Sequence, residues 1–267
     1  MPLANFSSFF AILCLLLLAG CVSGPAIDRS YSAVSQDSRV RYVILHYTHG
    51  DLARSFRTLT EGRVSSHYLL SDRPAAIYQL VDEDRRAWHA GDSAWNKDTQ
   101  LNFSSIGIEL VNGGYADTPQ GRLWHPYTEE QITLLIDLLK QIVARHRIAP
   151  EHILGHSDIA PGRKVDPGPL FPWERLARAG LIRWPDPALV ARLRPVFALA
   201  LPDAAWFQRS LRRHGYALAE TGQWDDASRN ALAAFQMKYR PTRFDGMPDE
   251  ETAAMLEALA TASGAPD

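Results

Sequence analysis

Nine histidines and only two cysteines set the metal-binding capacity of this 267-residue chain. A catalytic zinc site takes three protein ligands from nitrogen, sulfur or carboxylate donors and leaves the fourth position to water. Cys14 and Cys21 both belong to an apolar N-terminal stretch, so histidine and carboxylate are the donors to look for. Two places have suitable residues. His46 closes a strand-like run and could project from its C-terminal end. His156 and Asp166 bracket the segment HSDIAPGRKVDPG, whose prolines and glycines can bring two side chains near one another without regular structure. There is no HExxH pair, and spacing alone leaves each of these histidines equally open to a place in the core.

Two further residues could act on a bond held at such a site. In IGIEL, residues 106–110, the apolar side chains share one face of a strand while Gly107 and Glu109 share the other. Gly107 leaves space there. A carboxyl beside a cleft is desolvated, which raises its pKa and suits a general base; a glutamate facing solvent from a one-sided sheet has the same pattern. Lys164 precedes Asp166 by two residues, so an extended segment points both to one side. An ammonium there could stabilise an oxyanion, or simply sit in water.

These residues need a scaffold, and the chain contains one. RVRYVILHYT, residues 39–48, is β-branched and aromatic, with Tyr42, Ile44 and His46 on one face and Val43, Leu45 and Tyr47 on the other. Residues 52–60 suit a short amphipathic helix. HYLLSD and AAIYQLV around an Asp-Arg-Pro turn predict a β-hairpin, and residues 105–111 another strand. Residues 128–146 predict the clearest helix, opened by a Thr128–Gln131 capping box and striped by Ile132, Leu135, Ile136, Leu139, Ile142 and Val143. HILGHSDI returns as a short strand and loop. The expected fold class is α/β, a central mixed β-sheet flanked by helices. Pro185 and Pro187 mark a boundary, residues 185–198 a connector. Beyond Leu201 come three short helical patterns, a small all-α unit of a size that can fold alone.

Lys and Arg total 28 against 30 Asp and Glu, a net charge of −2 with no basic stripe, so nucleic acid is not an expected partner. Collagen-like, coiled-coil, disulfide-scaffold and wholly disordered chains are excluded by composition. No charged residue precedes Asp28, and residues 9–20 read FFAILCLLLLAG. A dozen apolar residues are too few to span a bilayer, which takes about 20, but fit the core of a secretory signal. Leu18-Ala19-Gly20-Cys21 resembles a bacterial lipobox, which implies cleavage after residue 20 and lipidation of Cys21. Val22 leans the destination toward the outer membrane, on its periplasmic side. The polar residues 21–39 then form a tether. Cys14 leaves with the signal and Cys21 is taken by lipid, so no disulfide is expected.

VILHYT, SSHYLLSD, AWHAG, SIGIELVN and GHSDIAPGRKVDPG together resemble the zinc N-acetylmuramoyl-L-alanine amidases related to peptidoglycan recognition proteins, over residues 40–173. The resemblance implies one zinc ion held by His46, His156 and Asp166, Glu109 as catalytic acid/base and Lys164 as stabiliser of the transition state. It implies cleavage of the amide between N-acetylmuramic acid, or its anhydro form, and L-alanine of the peptidoglycan stem. Alternatives are a non-catalytic wall-binding lipoprotein and a zinc peptidase cutting within stems. A related branch carries a catalytic tyrosine where this chain has Ser66, and another a cysteine where it has Asp166. His67, Trp88, His89 and Asn102 line or brace the cleft, Tyr47 and Trp95 stack on sugar or pack inside, and Arg163 and Arg85 are candidates for a stem carboxylate. His49, His125, His146, His152 and His214 need no role. Residues 201–260 resemble a three-helix peptidoglycan-binding module, with Leu211, Leu232, Phe235 and Leu256 inside. The implied layout is signal 1–20, lipidated Cys and tether 21–39, amidase domain 40–184, linker 185–198 and wall-binding domain 199–262, with peptidoglycan or muropeptides and the membrane as partners.

Overall fold

The computed structural model describes residue 25 and residues 27–261. The expected signal and the lipid site at Cys21 lie outside the described residues. Among the described residues up to Asp37 there is no helix or strand; Ser30 bonds Asp28 and Gln36 bonds Ser32 and Ala33.

From Ser38 onward the chain builds a five-stranded sheet in the order β3-β2-β6-β1-β9. Its strands are β1 (Tyr42–Tyr47), β2 (Tyr68–Asp72), β3 (Ala75–Gln79), β6 (Ser105–Leu110) and β9 (Ile153–Gly155). The pairings of β1 with β6 and β9, and of β2 with β6, are parallel; β3 closes one edge antiparallel to β2. The sheet is mixed, as expected. Two ribbons stand apart from it, β4 (Ala94–Trp95) with β5 (Asp98–Thr99) and β7 (Tyr115–Thr118) with β8 (Gly121–Trp124). Register sets His46 opposite Glu109, Ile44 opposite Gly107 and Tyr42 opposite Ser105. Alternation then turns all six positions to one face, with Gly107 alone bringing no side chain to it.

The other face carries Val43, Leu45, Ile106, Ile108 and Leu110, covered by Ile132, Leu135, Leu138, Leu139 and Ile142 of α2 (Glu129–His146). α1 (Leu52–Glu61) follows β1 and buries Ser55 and Leu59. Thr128 caps α2 by accepting from the Gln131 backbone N–H at 3.2 Å, but the reciprocal half of the expected capping box is absent. Gln131 is fully buried, and its Nε2 donates instead to Leu70 O and Val111 O, both at 3.0 Å. Two carbonyls of the sheet, one in β2 and one just past β6, take the side chain in place of the helix-end N–H.

The site-bearing face is also covered. After β9 the chain makes a one-turn helix, α3 (His156–Ile159), where a loop is the sequence expectation; Asp158 Oδ2 accepts from Gly155 N at 2.8 Å and closes that turn. α4 (Trp173–Arg178) follows. The connector residues carry α5 (Pro187–Leu199), which packs on α8 (Glu250–Thr261); α6 (Ala204–His214) and α7 (Asp226–Tyr239) complete the C-terminal bundle. Tyr42, Ile44, Leu154 and Ile159 share one continuous core with Phe207, Leu211, Leu232, Phe235 and Leu256. Trp95 is 1% exposed in that core, so it packs inside rather than stacking on sugar. Gly215 lies against its indole, and a Cβ there would come within 2.2 Å of the ring.

Candidate active site

His46, His156 and Asp166 meet at the carboxyl end of the parallel strands, the edge where α/β sheets place their ligands. His46 is the fifth residue of β1, His156 directly follows β9, and Asp166 is held by a bond from Ser157 N to its carbonyl at 2.9 Å. All three are buried. His46 Nδ1, His156 Nδ1 and Asp166 Oδ2 form a triangle with sides of 3.0 Å. His156 Nε2 lies 3.0 Å from Ala90 O; a carbonyl only accepts, so the ring proton sits on Nε2 and Nδ1 is bare. Bare nitrogen and carboxylate oxygen that close together call for a cation. Three ligand atoms of a tetrahedral zinc ion, with bonds of about 2.0–2.1 Å, stand about 3.3 Å apart. The triangle and its two-imidazole, one-carboxylate composition fit such an ion.

The electrostatics agree. Burial, with His156 beside it, pushes His46 down to about 4, which keeps the imidazole neutral and able to ligate. Burial alone would raise the Asp166 carboxyl, but the His156 and His46 rings outweigh it and hold it below the usual range. Glu109 goes the other way. Desolvation, then the Asp166 charge, push it up to about 8 against an opposing pull from Lys164. Glu109 Oε2 is buried without a hydrogen-bond partner. Glu109 and Lys164 line the same cleft as these three residues.

The remaining residues sort by what they touch. Tyr47, Trp88, His89 and Arg163 line the cleft, with Tyr115 and Val64, which no sequence pattern singled out. Trp88 is 50% exposed and lies under the Arg86 guanidinium at 3.8 Å. Arg163 Nη2 donates to Ala90 O at 2.9 Å and to Asp92 O. His67 and Asn102 brace the wall from behind. His67 Nδ1 accepts from Gly107 N at 3.0 Å while Nε2 meets Arg85 O at 3.1 Å. Asn102 Oδ1 accepts from His89 N and Ala90 N. Arg85 is exposed and contributes its carbonyl, not its guanidinium, to this wall. Gly107 is a correction. The space it leaves is not beside a free Glu109; it is filled by the His89 ring, which a Cβ at 107 would approach to 2.4 Å. Ser105, which accepts no sequence-based role, touches His89 Nε2. The only hint of it is its place two residues before Gly107 on the same strand face.

A mixed α/β sheet that gathers two imidazoles, a carboxylate and a desolvated second carboxyl at one strand edge has the makeup of a metal-dependent hydrolase. Residues 36–169 match the N-acetylmuramoyl-L-alanine amidase family, and residues 201–256 match the family described as “Putative peptidoglycan binding domain”. The chain is 41% identical to the N-acetylmuramoyl-L-alanine amidase AmiD of Escherichia coli K12 over 266 residues, 94% of this chain and 96% of that one. Its fold is similar to the crystal structure of AmpDh3 from Pseudomonas aeruginosa, with a TM-score of 0.83 and 41% identity over 91% of this chain and all of that one. It is likewise similar to E. coli AmiD in complex with anhydro-N-acetylmuramic acid-L-Ala-D-γ-Glu-L-Lys, with a TM-score of 0.79 and 40% identity over 90% of this chain and 96% of that one. The chain belongs to the N-acetylmuramoyl-L-alanine amidase family.

Proposed function

We propose that the chain hydrolyses the amide between the lactyl group of N-acetylmuramic acid, or of its anhydro form, and the L-alanine that begins the peptidoglycan stem peptide, with one zinc ion per chain held by His46, His156 and Asp166. The observation that carries this reading is the unpartnered Oε2 of a buried Glu109 in the cleft where those three ligand atoms converge. The substrate class follows the relatives, among them E. coli AmiD with its bound anhydro-muramyl tripeptide.

Lewis acidity is what zinc supplies in such a ligand set: a more electrophilic carbonyl and a more acidic water. Glu109 takes the proton of the attacking water at Oε2 and returns it to the alanine nitrogen as the C–N bond breaks. Lys164 meets the charge that grows on the carbonyl oxygen. Tyr47, Trp88 and Arg163 form walls for the muramyl peptide; His67, His89 and Asn102 hold those walls in place.

Around this centre we assign residues 40–184 to catalysis, 185–198 to the connection and 199–262 to holding the wall polymer. Residues 1–20 serve as signal, Cys21 takes the lipid, and 21–39 tether the enzyme to the periplasmic face of the outer membrane. Incubating the soluble form with purified muropeptides should release stem peptides that begin with L-alanine, and a chelator should stop the release. Glycan fragments, or cuts within the stem, in the mass spectrum would overturn the reading. Cys21→Ser should move the full-length protein from the membrane to the soluble fraction.

A further inference from the structure

Ser105 has one hydroxyl hydrogen, and its Oγ lies 2.6 Å from Leu101 O. A carbonyl only accepts, so the hydrogen goes there. The same Oγ is 3.2 Å from His89 Nε2. With its own hydrogen committed, it accepts from His89, which places the single proton of that neutral ring on Nε2. His89 Nδ1 is therefore bare, and it lies 3.0 Å from His46 Nε2. A bare nitrogen only accepts, and among the described residues no cluster of ligand atoms gathers a cation between these two as one does at the His46–His156–Asp166 triangle, so His46 carries its proton on Nε2 and donates it to His89. The nitrogen left bare on His46 is Nδ1, the one that meets His156 and Asp166.

We propose that Ser105 and His89 are positioning residues that lock His46 in the Nε2–H tautomer and so keep its Nδ1 lone pair turned to the metal. This rests on the zinc reading given above. Three other features hold the chain of bonds in place. Gly107 vacates the volume that the His89 ring fills, with a Cβ there only 2.4 Å from the ring. Asn102 Oδ1 pins the backbone by accepting from His89 N at 3.0 Å and Ala90 N at 2.8 Å. Ala90 O in turn fixes the His156 tautomer through Nε2. The dipeptide 89–90 thus sets both imidazole ligands, one through a side chain and one through a carbonyl. Both His89 nitrogens are used, which leaves neither for substrate although the ring borders the cleft. Partners of this kind behind a ligand typically carry a 10- to 100-fold effect on metal affinity.

The test begins with metal-free wild-type protein. Long-range proton–nitrogen correlation spectra of the histidine rings should show His46 and His89 both protonated on Nε2; either ring protonated on Nδ1 overturns the proposal. Zinc affinity is then measured by competition with a chromophoric chelator. Ser105→Ala removes the acceptor for His89 and should weaken zinc binding about 10- to 100-fold, with His46 shifting to the Nδ1–H form. Ser105→Thr keeps the hydroxyl and should restore most of the affinity, which separates the hydrogen bond from simple packing. A folded Ser105→Ala protein that binds zinc as tightly as wild type overturns the proposal. Wild-type protein that takes up no zinc overturns the metal reading and this one with it; the spectra, recorded without metal, tell that failure apart from a wrong tautomer.

Discussion

At the scale of single residues, the decisive group is Glu109. Its carboxyl is raised to about 8 by burial and by the Asp166 charge, so the metal-free protein holds it as the neutral acid at pH 7. A cation at the neighbouring site would favour the carboxylate and bring the group down toward the working pH, which suits the acid/base role we propose for it. Carbon-13 titration should therefore place Glu109 near 8 without zinc and lower with it. The sign for stability follows. The folded state holds this proton more tightly than the unfolded chain, so stability falls as pH rises from about 4.5 to about 8. Glu109→Gln removes that penalty and should melt higher than wild type at pH 8–9 in metal-free form, keep its zinc, and lose about 10²- to 10⁴-fold in turnover. Near-normal turnover would show that the proton goes elsewhere. That His46, His156 and Asp166 gather, with Glu109 and Lys164 in the same cleft, was legible because such side chains have few uses besides chemistry and stand in motifs. Ser105 was not, since a serine on a strand has many uses, and Ala90 acts through a carbonyl that every residue carries.

At the scale of elements, Glu83 ties α2 to the sheet. It accepts from Tyr68 OH of β2 at 2.7 Å, from Arg145 Nη2 and Nε at 2.6 and 3.1 Å, and meets His146 Nε2 at 2.7 Å. Burial alone would raise its carboxyl, yet the bonds from Arg145, Tyr68 and His146 hold it at about 2. A depressed carboxylate stabilises the fold above its unfolded value of about 4.5, and the contribution is lost as pH falls through about 2. The shift would be worth about 3 kcal/mol, which solvent at the half-exposed Arg145 reduces to about 1–2 kcal/mol. Glu83→Gln should lower Tm by roughly 2–8 °C at pH 7, and the gap to wild type should narrow as pH drops toward 2; a constant gap would mean that charge is not its cause. α2 itself was legible from its apolar period, because a long helix repeats its pattern often enough to be read. α3 was not, since four residues make one turn and no period. The half-formed capping box of Gln131 was hidden for another reason: its competing carbonyls, Leu70 in β2 and Val111 just past β6, are distant in sequence.

At the scale of the whole chain from Ser38 on, the C-terminal helices do more than extend the catalytic fold. Lys238 of α7 is buried, donates to Asp158 Oδ2 at 2.9 Å, and lies 4.3 Å over the Trp173 ring. Tyr216 OH donates to the other Asp158 oxygen at 2.8 Å. Asp158 belongs to the one-turn helix that begins with His156. A cation and a hydroxyl from one module thus satisfy a buried carboxylate two residues from a proposed ligand in the other. The small helical unit read from sequence as able to fold alone shares its core with Tyr42, Ile44, Leu154 and Ile159 of the catalytic side. Such an interface leaves no local trace, because Lys238 sits in a helix pattern where lysine is ordinary. Heat should therefore unfold both modules in one transition. Lys238→Met leaves the Asp158 charge buried with one partner fewer, a loss of about 3–5 kcal/mol, and should lower that single transition. Asp158→Asn added to Lys238→Met removes the uncompensated charge and should recover part of the loss, the mark of direct coupling. If Lys238→Met instead splits the melt, with the catalytic part unchanged and only the C-terminal helices unfolding early, then the modules are independent and the buried pair does not join them.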